Sequence, residues 1–251
     1  MAAPADAGGL GNARSTSLAL LRTGPAMTLL PHTHRPATSR PAWLATALAG
    51  VVVPAVAIGL LADAPPGLVA GPILATGLMG AGMIGAAAAG RLWIGVALAL
   101  LTGAGLVLSG RMAGLLPPAH LLPAAFAMLV ASVSFAARGA LFARSMADKG
   151  WWIAVAVVAG EAAIIATAAA RPGDLPEWLL VLLPAQWASA AIRAALGGAS
   201  TLAAGAPLLA LAGTAAATLL VARLWPSRWP YLVMFTTWLA LSALVWHNPA
   251  P

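Results

Sequence analysis

Apolar residues in this chain come in long runs, and the charged residues other than Glu161 fall in the gaps between them. A helix needs roughly 20 consecutive apolar residues to cross the hydrocarbon core of a bilayer. Eight stretches meet or approach that requirement: residues 43–61, a stretch within 67–90, then 92–110, 121–137, 151–170, 178–192, 202–222 and 231–246. The sixth is short and broken by Pro184, and the last is short unless Trp229 and Tyr231 extend it to the interface. The pattern predicts an all-α polytopic transmembrane helix bundle of about eight spans, with seven as the alternative and no soluble domain.

Residues 1–42 follow a different pattern. They hold Arg14, Arg22, Arg35 and Arg40 and several prolines, and Arg22 and Pro25 interrupt their one apolar run, residues 18–30. A secretory signal needs an unbroken apolar core, so this segment reads as a basic, proline-containing cytoplasmic tail without stable structure. Met27 is an alternative start. The membrane domain is then residues 43–251.

Tryptophan marks the span ends. Trp43, Trp93, Trp151, Trp152, Trp178, Trp225, Trp229 and Trp246 fall at or near them, where an amphipathic indole prefers the headgroup level. Trp187 and Trp238 fall inside spans and call for packing roles. Orientation follows from the basic residues, which favour the cytoplasmic side. With eight crossings and a cytoplasmic N-terminus, nine basic residues face the cytoplasm and four face away. If residues 178–192 instead dip in and return on the same side, the count is ten against three. The bias fixes the N-terminus without separating the two topologies. Eight is the expectation, because re-entrant backbone is costly unless other helices cover it.

Composition agrees. Hydrophobic residues make up 61% of the 251 and charged residues 8%, against about 25% charged in soluble domains. The net charge of +7 is spread singly between apolar runs, which suits anionic lipid and not the basic face that nucleic acid requires. There is no cysteine, which excludes thiolate metal sites and disulfides. Arginine supplies every basic residue except Lys149, and alanine is abundant; both suit a GC-rich bacterial genome and hence a bacterial inner membrane.

Candidate chemistry centres on Glu161, which lies near the bilayer midplane in the fifth span. An acidic residue there costs several kcal/mol unless it is protonated, paired or wetted, and marks a functional site by default. It suits a proton- or cation-coupling group; the bland alternative is a hydrogen bond that fixes packing. Its candidate neighbours are Gln186, two residues after Pro184, together with Ser134, Arg138 and Arg193. Spans adjacent in sequence tend to pack together, so a cavity built from Glu161, Gln186, Ser134 and Arg138 is conceivable. Otherwise each residue makes its own interhelical bond, and Arg138 and Arg193 snorkel to lipid phosphates. The glycines concentrated in the second and third spans suit close helix packing.

The four histidines suggest no metal or haem site. His32 and His34 lack a third ligand nearby, and His120 and His247 fall near opposite faces in the eight-span topology. Zinc-protease and Walker motifs are absent, as is a nucleophile elbow, and the aspartates are scattered. No cofactor is implied. Three function classes remain: a transporter or permease-like protein coupled through Glu161, a structural or assembly subunit of a larger membrane complex, and a lipid-modifying membrane enzyme. The expected partners are bilayer lipid and other membrane proteins or copies of this chain.

Overall fold

Inside a bilayer every backbone N–H and C=O must bond within the protein, which leaves the helix as the default for a chain this apolar. A computed structural model describes residues 40–60, 66–114, 120–146, 149–198, 204–224 and 229–248, all within the unit Pro36–Pro251. Residues 1–39, which hold all but the last three residues of the predicted tail and include Met27, His32 and His34, lie outside the described residues, as do Trp225 and Arg228; residues 40–42 are helical.

Among the described residues there are nine helices: α1 (40–60), α2 (66–89), α3 (Leu92–Met112), α4 (Leu121–Met146), α5 (Gly150–Ala170), α6 (Glu177–Val181), α7 (Pro184–Leu196), α8 (Gly205–Arg223) and α9 (Trp229–His247). Seven of them, all but α6 and α7, are long and apolar enough to span a membrane. The helices form an all-α bundle. Each of α1 and α2 contains one π-helical turn, at Leu48–Val52 and Gly80–Ile84. In α1 the turn ends two residues before Pro54, whose missing N–H leaves the Gly50 carbonyl without its usual donor. The two π turns abut, with Gly50 and Ala81 so close that a Cβ on Gly50 would sit 2.8 Å from the Ala81 backbone.

The sixth predicted span is corrected. Residues 178–192 do not form a crossing helix; they make a short α6, a break at Leu182 and Leu183, and the 13-residue α7. Proline disfavours the helical conformation in the residue before it, and Leu183 is extended at φ −94° and ψ 115°. Pro184 then starts α7, the position where its missing N–H is harmless. At about 20 Å, α7 is too short to cross the hydrocarbon core.

Close contacts fix the direction of each long helix and of α7. Glycine approaches order α1 to α5 as successive antiparallel neighbours: Gly80 meets Ala49, Gly95 meets Ala86, Gly103 meets Met128, and Gly150 meets Phe142. Let the face holding Arg40 be the near face. Then α4 runs from the far face to the near face, and α5 returns to the far face. Two bonds show that α8 runs parallel to α4: Ser134 pairs with Thr214, and Arg144 donates to the Ala222 carbonyl. The end of α5 and the start of α8 therefore lie on the same face. The N-terminus of α7 sits against Glu161 at mid-depth, and its C-terminal Gly198 packs against His120 on the far face. α6 and α7 thus form a re-entrant hairpin from the far face, and α9 runs antiparallel to α8 and ends on the far face, as the approach of Gly213 to Leu241 shows. His120 and His247 accordingly share one face rather than lying at opposite ones.

The expected cost of re-entry is met by cover. α7 packs on α2, α4 and α8 and buries ten of its thirteen residues. α2 is buried on nearly all sides, whereas α1, α3, α5 and α9 turn most of their surface outward. Outward indoles cluster at helix ends, at Trp93, Trp152, Trp178, Trp229 and Trp246. Trp187 is different: it is 1% exposed and its Nε1 donates to the Val181 carbonyl at 2.7 Å, tying one arm of the hairpin to the other.

Candidate functional site

The break before Pro184 creates a helix N-terminus in the middle of the bundle. The first amides of a helix have no partner within it. Here Pro184 has no N–H, and the Gln186 and Trp187 amides turn back to the Leu183 carbonyl. The Ala185 N–H is left, and it donates to Oε2 of Glu161 at 3.0 Å. Glu161 is buried and lies about 16 Å from the start of α5 and about 13 Å from its end at 1.5 Å per residue. A carboxylate is favoured at a helix N-terminus by both hydrogen bonding and the helix dipole.

Oε1 of Glu161 faces Arg138 Nη1 at 3.7 Å. Arg138 does not snorkel: it stands eight residues from the near-face end of α4, half-buried, with its guanidinium 5.5 Å from the centre of the Phe135 ring. Its Nη2 donates to Ser134 Oγ at 3.5 Å, and that hydroxyl is 3.3 Å from Thr214 Oγ1 of α8. Thr214 also donates to carbonyls of its own helix, within reach of Ala210 at 2.9 Å and Leu211 at 3.0 Å. A polar chain thus runs through the apolar interior from α7 through α5 and α4 to α8.

This chain borders a cavity of about 330 Å³ on its near-face side, below the tip of the hairpin. Arg138, Glu161, Thr214 and Thr218 are polar wall residues, and the rest of the wall is aliphatic or aromatic, including Leu141, Phe142 and Trp238. A second cavity, of about 490 Å³ between α1, α2 and α5, is lined by apolar side chains and Thr76 and holds no ionisable group.

The structure brings Glu161, Arg138 and Ser134 together. Gln186 is half-buried and does not line the cavity. Arg193 lies two turns further along α7 toward the far face, its stem against Gly71 and its buried Nε without a hydrogen-bond partner. Thr214 and Thr218 are wall residues the sequence did not single out, and Trp238 was expected only to pack. Their only sequence signal is a hydroxyl or indole inside an apolar span. Among the described residues no group of three or more His, Asp or Glu is placed to hold a metal ion.

Seven apolar spans around a buried hairpin define a multi-pass integral membrane protein. No family model matches the chain, and neither the comparison with curated proteins nor that with solved structures gives a match.

Proposed function

We propose that the protein is a transporter or permease-like protein in which Glu161 is the proton- or cation-coupling group. The observation that carries this reading is the ion pair of Glu161 and Arg138 at the tip of a re-entrant hairpin, beside a cavity at mid-depth. Broken helices whose ends meet charged groups near the midplane are a recurrent way of building transport sites. A buried pair adds little stability compared with apolar side chains of similar size, so packing alone gives weak reason to keep one there.

The near face is read as cytoplasmic and the membrane as a bacterial inner membrane. Arg40, Arg91, Arg144, Lys149 and Arg223 lie exposed at near-face helix ends, and Arg111 and Arg171 at far-face ends. That asymmetry has the sign of the positive-inside rule. The exposed acids Asp174 and Glu177 lie on the far face.

The test is solute-dependent proton flux into proteoliposomes carrying an internal pH dye, across a panel of small anionic, cationic and neutral solutes. Wild type should show flux with at least one class, and Glu161→Gln, shown to be folded by its elution and helical content, should not. Full flux in Glu161→Gln, or none in wild type with any solute, would overturn the reading.

A further inference from the structure

Resting on that transport reading, we propose that the cavity beside Glu161 binds a small monocarboxylate together with one proton. The resting site shows what it is built to hold. A carboxylate, that of Glu161, already bridges the Arg138 guanidinium and the Ala185 amide. Arg138 is far from saturated by these contacts. Its nearest partners stand at 3.7 Å and 3.5 Å, whereas charge-assisted bonds close to about 2.7–2.9 Å. The cavity opens onto both Arg138 and Glu161, so a ligand there reaches the guanidinium beside the carboxyl group.

Charge balance sets the stoichiometry. The site holds one positive and one negative group, and among the described residues Arg138 and Glu161 are the only ionisable side chains on its wall. The nearest others face elsewhere. Tyr231 packs with Leu141 and Val221, Arg144 donates to the Ala222 carbonyl, and Arg193 packs against α2. A carboxylate entering alone would leave one uncompensated negative charge at mid-membrane, at a cost of several kcal/mol. If a proton adds to a Glu161 oxygen, the neutral acid no longer needs both donors. The incoming carboxylate then accepts from Arg138, the Glu161 carbonyl oxygen keeps the Ala185 N–H, and the sum of charges is unchanged. No covalent bond forms other than that O–H.

Size and wall chemistry narrow the ligand. About 330 Å³ is at the small end of ligand pockets, and the walls away from Arg138 suit a hydrocarbon body. Such an acid is either water-soluble and short or a fatty acid from the bilayer; the carboxylate chemistry is shared.

The experiment uses the full chain in lipid nanodiscs and reads tryptophan fluorescence, since Trp238 lines the cavity. The probes are butyrate, benzoate and palmitate, with benzylamine and glucose as controls, titrated from pH 5.5 to pH 8. A carboxylate should bind, with apparent affinity falling by up to tenfold per unit rise in pH, the limit for one linked proton. Glu161→Gln, a fixed neutral acid mimic, should bind without that pH dependence. Arg138→Gln should lose binding, and Arg138→Lys, which keeps the charge if the glutamine variant misfolds, should recover part of it. Butyrate or benzoate binding assigns a water-soluble ligand, and palmitate alone assigns a bilayer one. Binding of benzylamine but no carboxylate, no carboxylate binding by folded wild type, or loss of carboxylate binding in Glu161→Gln would overturn the proposal. Carboxylate binding without flux in proteoliposomes would sink the transport reading and leave the site standing. Proton flux driven only by another solute class would do the reverse.

Discussion

The indole of Trp187 donates to the carbonyl of Val181 across the break at Leu182 and Leu183, at 2.7 Å. The bond satisfies a carbonyl at the end of α6 that helix continuation would otherwise have used. It also holds the two arms of the hairpin at a fixed angle, which sets where the Ala185 amide points. Trp187→Phe keeps most of the ring volume and removes the donor. A buried carbonyl left unpaired costs about 1–3 kcal/mol, so thermal unfolding in detergent should begin roughly 2–12 °C lower at 2–4 °C per kcal/mol. An unchanged melting temperature would mean the bond does not hold the hairpin.

Arg138 and Glu161 should show strong coupling. Removing one partner of a buried pair costs about 3–5 kcal/mol because the other charge is stranded. Arg138→Met alone should therefore destabilise the protein clearly. Adding Glu161→Gln to it should recover most of the loss, since the amide keeps an acceptor for the Ala185 N–H. Additive losses in the double variant, measured by thermal unfolding, would show that the two side chains act independently.

The hairpin makes a topological prediction that the cysteine-free sequence makes easy to test. Single cysteines at Lys149, Asp174 and Asn248, all exposed, are labelled with a membrane-impermeant thiol reagent in cells or oriented vesicles. Asp174→Cys and Asn248→Cys should label from one side and Lys149→Cys from the other. Labelling of the Asn248 and Lys149 positions from the same side would restore the eight-span topology.

Helix packing against the hairpin gives a fourth prediction. A Cβ at Gly71 would collide with the Arg193 stem and stand 2.7 Å from the Ser189 carbonyl. Gly71→Val should cost about 1–3 kcal/mol, the usual range for overpacking. Gly160→Ala is the control: nothing lies within 4 Å of its added carbon, and alanine favours the helix by up to about 1 kcal/mol. Equal effects at both positions would mean that α2 and α7 are not packed as described.

Much of the bundle was legible because lipid-facing helices advertise themselves by length and apolarity alone. Glu161 was legible as an isolated acid in such a run, and the break at Pro184 as local backbone chemistry. Whether residues 178–192 cross was not legible, since re-entry depends on cover from α2, α4 and α8, which no local pattern encodes. That one unknown hid others. Thr214 meets Ser134 only because α8 runs parallel to α4, which follows from re-entry. Gln186 drew attention as the polar side chain near Pro184, yet the donor to Glu161 is the backbone amide of its neighbour Ala185, which has no side-chain signal. Arg138 resembled a snorkelling residue because position along a helix says nothing of what faces it.

The cover over α7 also constrains how the protein is made. During synthesis the hairpin emerges before α8, one of the three helices that bury it, and α7 is too short to be stable across the bilayer by itself. It must wait at the far side, or lie loosely among α2 and α4, until residues 205–223 arrive. A nascent chain halted just before Gly205 should therefore hold five of its seven spans in place and still be open to protease at Leu182 and Leu183, with closure coming only as the last two helices enter.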